Sequence, residues 1–288
     1  MKVRLETLVS MPCILTILAL TGCGGAATQA PAESAGVLNV VVSIVPQQYF
    51  VERIGGGRVD VTVMVPPGFS PATYEPKPEQ LQTLSEADAY VRIRVPFEEV
   101  WMERIASANE DMLIMDEAEG IKRIGGKDPH LWLSPQLVKV QAQTIYNGLV
   151  ELDPDHEVGY KANLETFLAD LDELDADIEE TLSHLESHKF LVFHPAWSYF
   201  ARDYGLEQIP VQIEGSDPSA AEMADLIQMA KENNIRVIFA QPELSTASAK
   251  AIAEEIGGEV LLISPLAPDW LDNLYRVTDT FAEVLVEQ

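Results

Sequence analysis

The sequence predicts an α/β protein of two βα lobes, each with a four-stranded mostly parallel sheet, joined by one long rigid helix. Two observations predict it. Short apolar runs fall into two sets of four, each run followed by a stretch with helical spacing, and such alternation builds parallel sheets covered by helices. Between the two sets lies a single apolar stripe at steps of three and four residues. The chain has 288 residues, 47% apolar and 23% charged, enough to bury a full core.

Taken in order, residues 1–22 place Lys2 and Arg4 before a short apolar stretch, residues 14–20, and read as a secretory signal that the mature protein lacks. The stretch ends in Leu20-Thr21-Gly22-Cys23, which looks like a bacterial lipobox. Cys23 is therefore expected to become the first residue and to carry the lipid. Residues 23–36, rich in Gly, Ala, Ser and Pro, have too little apolar content to pack and form a flexible tether. With Cys13 inside the signal, the mature chain has no cysteine pair, so a disulfide framework is excluded.

The N-terminal lobe is expected over residues 37–152, with strands at 38–44, 59–65, 89–95 and 112–115. Gly55-Gly56-Gly57 precedes a strand and reads as a helix terminator and turn. The connector is expected over residues 153–187 as one helix roughly 50 Å long at 1.5 Å per residue. Asp153 is its N-cap, and Pro154 stands in the first turn, where a missing N–H costs nothing. Its stripe is Leu164, Phe167, Leu168, Leu171, Leu174, Ile178, Leu182 and Leu185. A helix resists bending, so modest rocking of the lobes is expected instead of wide closure. The C-terminal lobe follows over residues 188–288, with strands at 189–193, 209–213, 236–240 and 259–263.

The formal net charge is −27 and becomes slightly more negative when the signal is removed. Such a surface argues against nucleic acid and anionic membranes as partners, since both need basic patches. It attracts cations weakly and without selectivity; most of the charge serves solubility.

Four stretches carry a more specific signal: residues 66–76 ending in Ala72-Thr73-Tyr74-Glu75-Pro76, Asp128-Pro129-His130-Leu131-Trp132, Phe193-His194-Pro195-Ala196-Trp197, and Ile263-Ser264-Pro265-Leu266. In order and spacing they resemble the metal-binding cluster of the zinc/manganese-type solute-binding lipoproteins of ABC importers, across nearly the whole mature chain. The resemblance implies two βα lobes, one rigid helix and a divalent metal between the lobes. It implies ligands at His130 and His194. His194 follows an apolar strand, the carboxyl end at which open α/β sheets bind ligands. The chain departs from the pattern at Ala72, where the family usually has histidine, and at Ser264, where it has an acidic residue. Residues 120–128 are too short for the histidine-rich loop of some zinc-specific relatives.

Three completions of the shell are open, because a closed zinc site takes four ligands. In the leading one, Glu75, Glu214, Glu243 or Asp269 supplies oxygen and water does the rest. In the second, Trp132, Trp197 and Trp270 with Tyr74 and Tyr199 line a cleft for a metal wrapped in a small chelator, although packing of the lobe interface is the plainer role for these rings. In the third, the metal site is lost and another small solute binds.

Catalysis is not expected. The chain has no His-Glu-x-x-His run, no Gly-x-Ser-x-Gly elbow and no Gly-x-x-x-x-Gly-Lys loop. A surface adhesin on the same scaffold stays open, because fold does not fix function. The resemblance implies an exported monomer, tethered through Cys23 at the outer face of the cytoplasmic membrane or in the periplasm. It would deliver zinc first, with manganese as the other candidate, to an ABC permease and its ATPase.

Overall fold

The computed structural model describes residues 36–286 except Glu214. The signal, Cys23 and the tether to residue 35 lie outside the described residues. The described residues form one compact unit.

The first half runs β1 (Leu38–Val42), α1 (Val45–Gly55), β2 (Val59–Val63), α2 (Pro78–Leu84), β3 (Ala89–Arg92), α3 (Pro96–Ala108), β4 (Leu113–Asp116) and α4 (Pro135–Leu152). After α5 (Glu157–Leu182) come β5 (Lys189–Val192), α6 (Ser198–Asp203), β6 (Glu207–Pro210), α7 (Ala220–Glu232), β7 (Val237–Ala240), α8 (Ala247–Ile256), β8 (Glu259–Leu262) and α9 (Trp270–Val286). The sheets are ordered β2-β1-β3-β4 and β6-β5-β7-β8, all pairs parallel, so the second lobe repeats the topology of the first. In each, the chain leaves the first strand to one side and returns on the other. That switch opens a crevice beyond the carboxyl ends of the central strands.

Every expected strand is present. The Gly55-Gly56-Gly57 run ends α1 at Gly55, and Gly56 adopts φ +56°, a backbone that favours glycine. The second strand of the C-terminal lobe lies two residues earlier than expected, at Glu207–Pro210, because pairing with β5 begins at Lys189 opposite Glu207. Its apolar run continues into the loop, where Ile213 bridges Ser216.

The connector is shorter than the apolar stripe suggests. A 3-10 turn over Pro154–His156 precedes a helix of 26 residues, about 39 Å at 1.5 Å per residue. Asp153 does not cap it. Its carboxylate accepts instead from Tyr160 Oη at 2.8 Å and pairs with His156 Nδ1 at 2.8 Å, with Arg58 at 3.4 Å. At the other end the Ser183 hydroxyl donates to the Glu180 carbonyl, a competing bond that favours leaving the helix. Leu185 is buried from the loop that follows.

Helix α5 packs against α1 and α4 of the first lobe and α9 of the second. Its buried face holds Leu164, Phe167, Leu171, Leu174 and Ile178, each contributing about 1.5–3 kcal/mol by burial. The charged face is tied down by Arg53 to Asp170 and by Lys139 to Asp172. Helix α9 joins the lobes through rings: Trp270 meets Phe50 of α1 at 5.0 Å, and Phe281 meets Phe190 and Phe239 at 4.7 and 4.8 Å. One apolar cluster therefore runs through both lobes. A smaller one fills the α7–α8 side of the second sheet.

Beneath the first lobe's crevice lies a buried polar group. Glu117 follows β4, is fully buried, and accepts from Gln47 Nε2 at 2.7 Å, while its other oxygen has no partner. Burial above all, with the charges of Glu98 and Asp116, pushes its carboxyl up to about 8 against the Gln47 hydrogen bond. Among the described residues no helix is long and apolar enough to cross a membrane.

Candidate functional site

His130 stands in the connection from β4 to α4, immediately before a 3-10 turn over Leu131–Leu133. Asp128 shapes that corner as an Asx turn: the His130 N–H donates to Asp128 Oδ1 at 3.0 Å, and the ring Nδ1 meets the same oxygen at 2.7 Å. A carboxylate only accepts, so Nδ1 carries the proton and Nε2 is left to the cavity. Burial pushes the Asp128 carboxyl up, but the hydrogen bonds and charge of His130, with a bond from Ser198, outweigh it and hold it below the ordinary range.

His194 comes two residues after β5, at the carboxyl end of the second sheet. Parallel pairing continues past the strand, with the Gln212 N–H donating to the Phe193 carbonyl at 2.8 Å, and this sets Gln212 beside His194. The His194 Nδ1–H donates to Gln212 Oε1 at 3.1 Å. Burial foremost, then the charge of His130, lowers the His194 pKa to about 4, against the Gln212 bond and the Asp128 charge. At neutral pH His194 is an uncharged imidazole with a free Nε2 lone pair.

The two rings come from different lobes and their centroids lie 5.3 Å apart at 70°. A zinc–nitrogen bond of about 2.1 Å puts the metal about 3.2 Å from each ring centre, so two imidazoles sharing one tetrahedral zinc have centroids about 5.2 Å apart. The observed spacing is close to that value.

Both rings line a cavity of about 660 Å³, whose walls come from Ser70, Ala72 and Glu99 in the first lobe and from Ser198, Gln241 and Leu266 in the second. Three aromatic groups tie these walls together. Trp132 Nε1 donates to the Pro265 carbonyl at 2.6 Å, and Trp270 Nε1 to the Trp132 carbonyl at 2.7 Å. Tyr199 Oη donates to the Asp128 carbonyl at 2.8 Å and accepts from the Ile124 N–H at 3.0 Å.

The expected carboxylates are placed less favourably. Glu75 is exposed and Asp269 pairs with Arg276 at 2.7 Å; neither lines the cavity. Glu214 lies outside the described residues. Glu243 is half-buried, accepts from Ser264 Oγ at 3.0 Å, and keeps a second oxygen buried without a partner. Among the described residues no three His, Cys, Asp or Glu side chains are grouped so as to hold a metal. The aromatics do not form a lining as a set: Trp132, Trp197, Trp270, Tyr74 and Tyr199 are all buried, and Trp132 alone of them reaches the cavity wall. Trp132, Trp270 and Tyr199 pack with their N–H and O–H groups on backbone carbonyls at the lobe junction, while the Tyr74 hydroxyl donates to Gln80 Oε1 at 2.6 Å inside the first lobe.

Sequence reasoning missed Asp128 and Gln212 as orienting groups and Glu99 and Lys127 as wall residues. The spacing Asp128-Pro129-His130 was a signal for the first. Gln212 needed the parallel register.

Two parallel-sheet lobes joined by one helix, with a cavity walled by both, define the architecture of a two-lobed solute-binding protein; the chain belongs to the family of zinc-uptake complex component A, periplasmic, whose model matches residues 40–284. Among its relatives, the high-affinity zinc uptake system protein ZnuA of Bacillus subtilis (strain 168) is 30% identical over 88% of this chain and 86% of its own length. The manganese-binding lipoprotein MntA of Halalkalibacterium halodurans is 27% identical over 94% and 97%. A crystal structure of a ZnuA deletion mutant with zinc bound is 50% identical, covers 88% of this chain and 99% of that one, and superposes with a TM-score of 0.84.

Proposed function

We propose that the protein captures a divalent metal, zinc in the first place, between its lobes through Nε2 of His130 and His194, and delivers it to an ABC permease driven by a cytoplasmic ATPase. The observation that carries this is the pair of imidazoles, one per lobe, at the spacing of a shared ion. Uncharged nitrogen donors suit zinc better than manganese, which favours oxygen. The zinc-bound relative at 50% identity supports the same order, and the manganese-binding relative makes manganese the competitor to test. Asp128 and Gln212 act as orienting partners that fix which ring nitrogen faces the ion. Of the four carboxylates, Glu243 has one buried oxygen without a partner, but like Glu75 and Asp269 it does not line the cavity that holds both imidazoles. The chain works as a monomer held outside the cytoplasmic membrane by lipid on Cys23.

Isothermal titration of the metal-free protein with zinc, then manganese, tests the capture step. One zinc per chain at submicromolar affinity, lost in both His130→Ala and His194→Ala, is the expected result. Unchanged affinity in either variant would sink this site.

A further inference from the structure

We propose that the metal enters this cavity already held by a small carboxylate-bearing chelator, with His130 and His194 as the two protein donors; this rests on the reading of both imidazoles as metal ligands. The donor count is the first support. Two imidazoles leave two positions of a tetrahedral zinc open, and no third ligating side chain is grouped with them among the described residues. Ala72, on the cavity wall, offers carbon where a donor could stand.

Size is the second. An ion completed by two waters, at about 30 Å³ each, would leave most of the space unfilled. A cavity of about 660 Å³ falls within the range of small-molecule sites.

The third is what lines it. Pro71, Val95 and Leu266 offer a bare dication nothing, but they suit the carbon skeleton of an organic ligand. Lys127 lines the same cavity, and its ammonium has no hydrogen-bond or ion-pair partner among the described residues. An ammonium repels a naked dication and attracts a carboxylate that has wrapped one. Glu99 also lines the cavity, is exposed, and can take an ammonium or hydroxyl of the chelator.

The test is co-retention. Metal-free protein is equilibrated with zinc and radiolabelled citrate, and separately with zinc and radiolabelled L-histidine, then desalted and counted. One chelator retained per zinc in at least one mixture is expected, with zinc affinity held at least about tenfold above what competition by that chelator allows, and with retention reduced in Lys127→Ala. Zinc retained from both mixtures with neither chelator co-retained, or zinc binding to the protein alone that is abolished by Glu99→Gln or Glu243→Gln, would show that the protein completes the shell itself and overturn the proposal while leaving the metal site standing. Failure to retain zinc with or without chelator would overturn both readings together.

Discussion

A histidine two residues from an aspartate is common, and what makes His130 a candidate ligand is the direction its ring is held in. Asp128 takes Nδ1 through the side chain and the His130 N–H through the same oxygen, so the imidazole cannot turn its other nitrogen away without breaking a turn. Asp128→Asn is expected to weaken zinc binding about ten- to a hundredfold with the fold intact, measured by titration calorimetry alongside circular dichroism. His130 and His194 were legible from the motif they stand in; their partners were not, because one is a turn geometry and the other a register. Glu117 makes a different kind of prediction. Its carboxyl is raised from 4.5 to about 8, so its contribution is fully present below the unfolded value and is lost as pH climbs through the folded one. Stability to urea should therefore fall between pH 5 and pH 8, by an amount on the order of a few kcal/mol. Glu117→Gln keeps an acceptor for Gln47 and cannot ionise, so its urea midpoint at pH 8 should exceed that of the wild type. An equal fall with pH in both proteins would remove Glu117 as the cause.

At the level of elements, the inner strands β1, β3, β5 and β7 were readable because they are largely buried on both faces and so appear as short apolar runs, whereas β2, β6 and β8 keep exposed positions. The ends of elements were not. Leu185 keeps the three-residue step from Leu182, yet the backbone has already left the helix, and residues 211–213 look like strand although the regular strand ends at Pro210 and only the Val211 and Gln212 N–H groups still bond to the β5 side. Nor did residue type say which way an aromatic points: a buried tryptophan with a backbone partner and a tryptophan waiting for a ligand are written alike. Close approaches are equally silent in a sequence. Between α8 and β8, Gly257 takes a left-handed φ of +69°, and Gly258 follows so near β7 that a Cβ there would sit 1.8 Å from the Arg236 carbonyl oxygen. Backbone cannot swing aside as a side chain can. Gly258→Ala is expected to push β8 from β7 and lower the thermal midpoint by several degrees, on a cost of about 2 kcal/mol or more; a midpoint unchanged in calorimetry would mean the strand start shifts freely.

For the molecule as a whole, the two sheets were foreseen as separate lobes, and by topology they are. The core disregards that division. α5 packs on helices of both halves, and α9 carries Trp270 to Phe50 and Phe281 to Phe190 and Phe239. A shared core of this kind favours one cooperative unfolding step, with the calorimetric enthalpy equal to the van't Hoff enthalpy. Zinc at a hundred times its dissociation constant should raise the stability of that single step by about 2.7 kcal/mol, and chelation with excess EDTA should return it to the metal-free value. Two resolved transitions, only one of them sensitive to zinc, would contradict this account.

The Trp132 ring lies 5.2 Å from the His130 imidazole while its N–H is engaged by the Pro265 carbonyl across the lobe junction. An indole held that close to an imidazole changes its emission when the imidazole takes up a metal. The molecule thus carries a built-in optical gauge of its own occupancy, needing no dye and no label, and a titration can be followed in the light of one native residue.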